Sequence, residues 1–273
     1  MTPFPNHILK FQRGRHHLND LRSLTERWFN GNHHSARFEV NPTDAGELLI
    51  RASVDPIPTD PFSLVISDVI QNFRGCLEHL AYALTAAFTK PLPEDVARDS
   101  QFPIIGDVDR KGNTGQGATL FQSQSKCVRG MHPAAQLVIE GVQPYHRGNA
   151  FRNEPLWKLG ALSNTDKHRT LHLAASYSKL FTINPHQIGA RTLVYPNAIG
   201  KTFRTTGASV ERDTVIGSIE FVHSDATHQV ELDVTPSMAF SDGVALNDDV
   251  IDTLEDIETY LIAFVIPSLS KFL

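Results

Sequence analysis

Arg74-Gly75-Cys76-Leu77-Glu78-His79 sets a bidentate cation and a group that titrates near neutrality five residues apart inside one apolar-periodic stretch. A guanidinium presents a planar fork to oxyanions, and an imidazole takes up and returns protons at physiological pH. On a helical wheel Asp68, Asn72 and His79 fall along one border of the apolar face, and Ser67, Arg74 and Glu78 along the other. Residues five apart on a straight helix point about 140° away from each other, so Arg74 and His79 converge only through a bend, for which Gly75 is the candidate, or through a second copy of the chain. The plainer reading pairs Arg74 with Glu78 one turn on and leaves His79 as a half-buried polar group beside Asn72.

A second constellation is Asn164-Thr165-Asp166-Lys167-His168-Arg169. Three cationic or titratable side chains after an aspartate are costly to bury unless they pair or bind an anion. If the helix runs through them, Asn164 and His168 share a stripe with Trp157, which turns His168 toward a pocket and leaves Asp166 and Arg169 to pair elsewhere. The bland alternative is a salt-bridge network joining helices.

The Arg-x4-His spacing resembles the motif of the HEPN superfamily, helical-bundle proteins of bacterial toxin and defence systems, many of which cut RNA without metal at a dimer interface. The resemblance rests on this helix and on the general helical plan. It implies that Arg74 holds a phosphate and that His79 moves a proton to or from a ribose 2′-hydroxyl, in a homodimer that needs no cofactor. The pairing of Asn-Phe-Arg…Glu-His-Leu-Ala with a later Asp-Lys-His-Arg is also similar to a group of bacterial proteins with no established activity, which implies only that the two segments belong together. The resulting expectation is a metal-independent RNA-binding or RNA-cleaving protein of toxin or defence type, with or without a neutralising protein partner. Arg74, His79 and His168 are its catalytic candidates, and Asn72, Asp166, Lys167 and Arg169 line the same cleft as substrate-binding candidates. The main alternative is a non-enzymatic interaction or structural protein whose charges are ion pairs. A third reading gathers His16 or His17, His79 and His168 with Asp68 or Asp166 around a divalent ion, as in DinB-like helical metalloproteins. It lacks an HExxH motif or a cysteine pair.

These residues need elements to hold them. Phe62, Ile66, Val69, Phe73, Leu77, Leu80 and Leu84 recur at three- and four-residue steps and predict a helix over 61–88 that other elements must cover. Phe11, Leu18, Leu21 and Trp28 predict a first helix over 6–29. Two β-rich runs follow, a hairpin over 36–54. Residues 90–153 are broken by prolines and form a loop-rich wrap, with short helices expected over Thr119–Val128 and Pro133–Glu140. Helix is expected again over 155–176, an antiparallel sheet over 180–240, and a last helix over 247–271, capped by Asn247 and striped by Val250, Leu254, Ile257, Leu261 and Val265. The whole reads as a single α+β domain, 1–273, with a core of about four long helices and two β insertions.

Composition narrows the function classes. An apolar fraction of 41% over 273 residues supports a sizeable core, and a net charge of −5 excludes nucleic-acid binding by bulk charge while leaving room for a local basic face. Two cysteines, Cys76 and Cys127, make neither a disulfide framework nor a metal knuckle. The N-terminal residues lack an apolar signal core and the run Leu261–Leu269 is too short to span a bilayer, so a cytoplasmic, membrane-free protein is expected. The loop Lys111–Gly117, KGNTGQG, superficially suggests a phosphate cradle but lacks the Gly-Lys-Ser/Thr ending.

Overall fold

The computed structural model describes residues 5–108, 111–168, 171, 173–179, 190–194, 213–221 and 235–273. Helices and antiparallel sheet share the chain, an α+β architecture, and the chain divides into two compact units. No described helix is long and apolar enough to cross a membrane.

The first unit comprises Met1–Leu21, Leu64–Leu171 and Ile251–Leu273. Its axis is α2 (Thr59–Phe88), a continuous helix with Asp60 in its first turn, where a carboxylate complements the helix dipole. Every residue of the predicted apolar stripe, from Phe62 to Leu84, is at most 1% exposed, so the periodicity reports the packing face faithfully. Helix α1 (Asn6–Phe29) lays Phe11 on Phe73 with ring centroids 5.6 Å apart, and buries Leu18 and Leu21 completely. Its Gly14 lets the backbone come so close that a methyl group there would stand 2.7 Å from the Phe73 ring. The wrap contains α3 (Glu94–Asp99), α4 (Gly117–Ser123) and α5 (Pro133–Gly141) with two 3-10 segments. Thus the helix expected over Thr119–Val128 is α4 followed by a 3-10 turn, whereas the one over Pro133–Glu140 is present as α5.

Helix α6 (Pro155–Asp166) corrects the expectation of helix over 155–176. The Lys167 and His168 amides donate back to the Ser163 and Thr165 carbonyls, and the chain then leaves the helix to enter β3 (Leu173–Lys179). The apolar residues after Arg169 had extended the helical pattern, but Leu173 to Ser176 find strand partners in Phe240 to Ser237, and tertiary pairing overrides local propensity.

At the C-terminus the helix begins at Val250 rather than at Asn247. Asn247 adopts a left-handed backbone (φ 69°) and its amide donates to the Phe240 carbonyl at 2.8 Å, so it belongs to the turn leaving the sheet. Helix α7 (Val250–Tyr260) passes through a π turn (Leu261–Val265) into α8 (Ile266–Ser270). The change of ladder spacing falls just before Pro267, which has no N–H to donate. Val250, Leu254, Ile257, Leu261 and Val265 are all buried, as their spacing predicts.

The second unit comprises Arg22–Ser63 and His172–Val250. The hairpin of β1 (His34–Asn41) and β2 (Asp44–Val54) pairs His34 with Val54 through to Phe38 with Ile50. It is not a separate insertion. Its β2 edge pairs with β5 (Thr214–Phe221), which pairs in turn with β4 (Ala190–Val194), giving one antiparallel sheet in the order β1-β2-β5-β4. A separate two-stranded sheet joins β3 to β6 (Thr235–Phe240). The rest of the sheet expected over 180–240 lies outside the described residues.

Candidate functional site

The polar border of α2 that carries Ser67, Arg74 and Glu78 is a seam of hydrogen bonds. Taken down the helix at three- and four-residue steps, it also includes Gln71, Thr85 and Thr89. Ser67 Oγ and Gln71 Nε2 both donate to one oxygen of Asp166, at 2.8 and 2.7 Å, and fasten the end of α6. Arg74 pairs with Glu78, and the two grip the same stretch of backbone: Arg74 Nη2 donates to the Phe102 carbonyl at 2.9 Å, and the Phe102 amide donates to Glu78 Oε2 at 3.2 Å. Thr85 shares a hydrogen bond with Ser100, and Thr89 donates to the Gly130 carbonyl at 2.7 Å. Burial holds the Arg74 pKa below its ordinary value, and Glu78 offsets only part of that.

Arg74 is therefore committed to holding the wrap on α2. Its Nη1 and the Ser163 hydroxyl are buried, with no hydrogen-bond partner among the described residues. Helix α2 runs through Gly75 without a break, so the bend that would swing Arg74 toward His79 is absent.

The opposite border faces α1. Asn72 donates to the Asp68 carbonyl at 2.8 Å, and its Cβ lies 3.3 Å from where a side chain at Gly14 would begin. Gly75 is crossed by the stem of Lys10, whose nearest carbon is 3.6 Å from a Cβ built there. His79 is exposed one turn further on. The α1 residues on this side, Lys10 and Arg13, are exposed, and among the described residues neither is ion-paired.

The second constellation does not join His79. Asp166 sits over Ser67 and Gln71, while His79 lies eight residues beyond Gln71, about 12 Å along the helix axis. Lys167 and His168 are exposed on the turn after α6, and His168 leaves the stripe of Trp157 because the helix has ended. The Trp157 ring meets Phe151 edge-on at 4.8 Å instead. Arg169 lies outside the described residues. The shared cleft expected of Arg74, His79 and His168 is not formed within the first unit.

Nor is the histidine set of the metal reading assembled. His16 and His17 both lean on Asp20 at 3.6 Å, and among the described residues no group of three or more His, Cys, Asp and Glu side chains is placed to hold a metal ion. In the glycine-rich loop the Gly115 and Gly117 amides donate to the Asp107 carboxylate at 3.0 and 3.3 Å, so they are not free to cradle a phosphate. Both cysteines are buried, and burial lifts the Cys76 thiol to about 12, which leaves it protonated and unreactive near neutrality.

The sequence reading passed over His7. It lies on the same α1 face as Phe11, Gly14, Leu18 and Leu21, a spacing that marks it for burial, and it is 2% exposed. Its Nδ1 is buried, with no hydrogen-bond partner among the described residues. Burial, and then the nearby His79, lower its pKa below the ordinary value of 6.5. Compared with protein-family models, with curated proteins and with solved structures, the chain matches none of them.

Proposed function

We propose that this chain binds single-stranded RNA, without cleaving it, along the edge where α1 meets α2. The observation that carries the reading is the crossing of Lys10 over Gly75, one turn of α2 before exposed His79, with Arg13 exposed one turn further along α1. Cations without carboxylate partners are what a phosphate backbone neutralises, and Tyr82, 48% exposed one turn beyond His79, offers a ring for base stacking. Arg74 has a structural part in this reading, since its fork is already spent on Glu78 and Phe102.

Fluorescence anisotropy with a labelled single-stranded RNA tests it. Affinity should fall with salt, and Lys10→Ala and Arg13→Ala should each weaken binding and flatten the log–log salt slope by about 0.7. Unchanged affinity in the double variant would remove the basis for the reading. RNA degradation in EDTA that His79→Ala abolishes without lowering the melting temperature would instead favour the HEPN-like nuclease. That reading needs a homodimer, visible by sedimentation velocity, and its neutralising partner belongs to the same arm.

A further inference from the structure

We propose that protonation of His7 releases the first turns of α1 from α2, a pH-sensitive latch that stands independently of the RNA reading. Gly14 lies against Asn72 and Phe73, and Lys10 lies against Gly75, so moving toward the start of α1 moves toward the end of α2. Seven residues back from Gly14 is His7, and seven residues on from Asn72 is His79; the antiparallel register sets the two imidazoles opposite each other. The electrostatic coupling of His7 to His79 agrees with this placement.

Among the described residues, nothing placed around His7 welcomes a proton. The ring is 2% exposed, and among the described residues its Nδ1 has no partner. It is the second residue of α1, where the helix dipole is positive. On its own helix the nearest charge is Lys10, one turn away, and α2 contributes His79. The C-terminal helix meets α1 through the Arg15–Glu258 pair, which is eight residues from His7, about 12 Å along α1. A charged His7 is thus more stable exposed than docked, and the docked turn is the one whose Phe11 covers Phe73.

The sign follows from linkage. With a folded pKa below its ordinary 6.5, His7 contributes stability that is fully present above that value and is lost as pH falls toward the folded pKa. Opening of the latch should rise about tenfold per unit of pH across that window and then level off. Removing the like charge with His79→Ala raises the folded pKa, so the onset stays while the total change shrinks.

Amide hydrogen exchange on the full chain, corrected for intrinsic rates, reads this directly. Between about pH 7.5 and 5 the amides of residues 8–14 should lose protection while those of residues 159–166 in α6, a helix with no histidine cap, do not. His7→Phe, which fills the site with an apolar ring, should abolish the difference, and His79→Ala should reduce it. Equal behaviour of the two helices in the wild type, or release undiminished in His7→Phe, would overturn the latch. Should His7→Phe fail to fold, an NMR titration of the wild-type ring decides: a midpoint well below 6.5 supports the proposal and an ordinary midpoint sinks it.

Discussion

Arg74 and Glu78 stand four residues apart, and that spacing alone marks a helical ion pair. What it cannot show is Phe102, whose amide and carbonyl the pair holds from both sides, because a loop backbone 24 to 28 residues away leaves no trace in the helical pattern. The difference is energetic. An exposed i,i+4 pair contributes a few tenths of a kcal/mol, whereas a hydrogen bond from a charged group to buried backbone is worth about 1.5–3 kcal/mol. Arg74→Ala should therefore cost about 2–3 kcal/mol in urea unfolding, and Arg74→Lys most of that, since a single ammonium cannot reproduce the fork. The double variant Arg74→Ala/Glu78→Ala should cost clearly less than the sum of the singles. Additivity would mean that the two side chains act separately. His7 makes the converse case: its burial is legible from its spacing to Phe11, Leu18 and Leu21, but a histidine does not register in a pattern defined by apolar residues.

Helices were the most legible elements where one face carried the whole pattern. Stripes on α2 and α7 translated into buried residues one for one, and the two chemically distinct borders of α2 became a seam to the wrap and an edge facing α1. The limit of α6 was hidden, because Leu173 stands eleven residues, about three helical turns, on from Leu162 and so fits that helical face as well as it fits a strand. Two glycines test the α1–α2 contact. An alanine normally stabilises a helix interior over glycine by about 1 kcal/mol, and this should hold for Gly75→Ala, where Lys10 stem carbons at 3.6 Å and beyond are ordinary contacts. Gly14→Ala should do the opposite and destabilise by about 1–3 kcal/mol, since its methyl would sit 2.7 Å from Phe73 and 3.3 Å from the Asn72 Cβ. Thermal melts of the two variants should move in opposite directions. A higher melting temperature for Gly14→Ala would mean that the helices separate readily at this crossing.

Each unit is assembled from stretches far apart in the chain, and this is the level the sequence conceals most. β2 reads plainly as a strand, yet its partner β5 begins 160 residues beyond the end of β2, and no local signal names it. The first unit likewise closes only when Ile251–Leu273 returns to residues 1–21 and 64–171. A chain ended after Val250 would lose Leu254, Ile257, Leu261, Val265, Ile266 and Leu269, all at most 4% exposed. At roughly 1.5–3 kcal/mol per buried side chain the loss is about 9–18 kcal/mol, an upper bound because a denatured chain keeps some of these contacts. Against a typical total stability of about 5–15 kcal/mol, that is enough to abolish cooperative folding of the first unit. The truncated chain should therefore show no protected amides in α2 and no cooperative melt at 222 nm, although α2 itself is intact in sequence. Persistent protection of Phe73, Leu77 and Leu80 would instead show that α1, α2 and the wrap form a core without the C-terminal helices, and that the return of the chain adds stability to a fold already made.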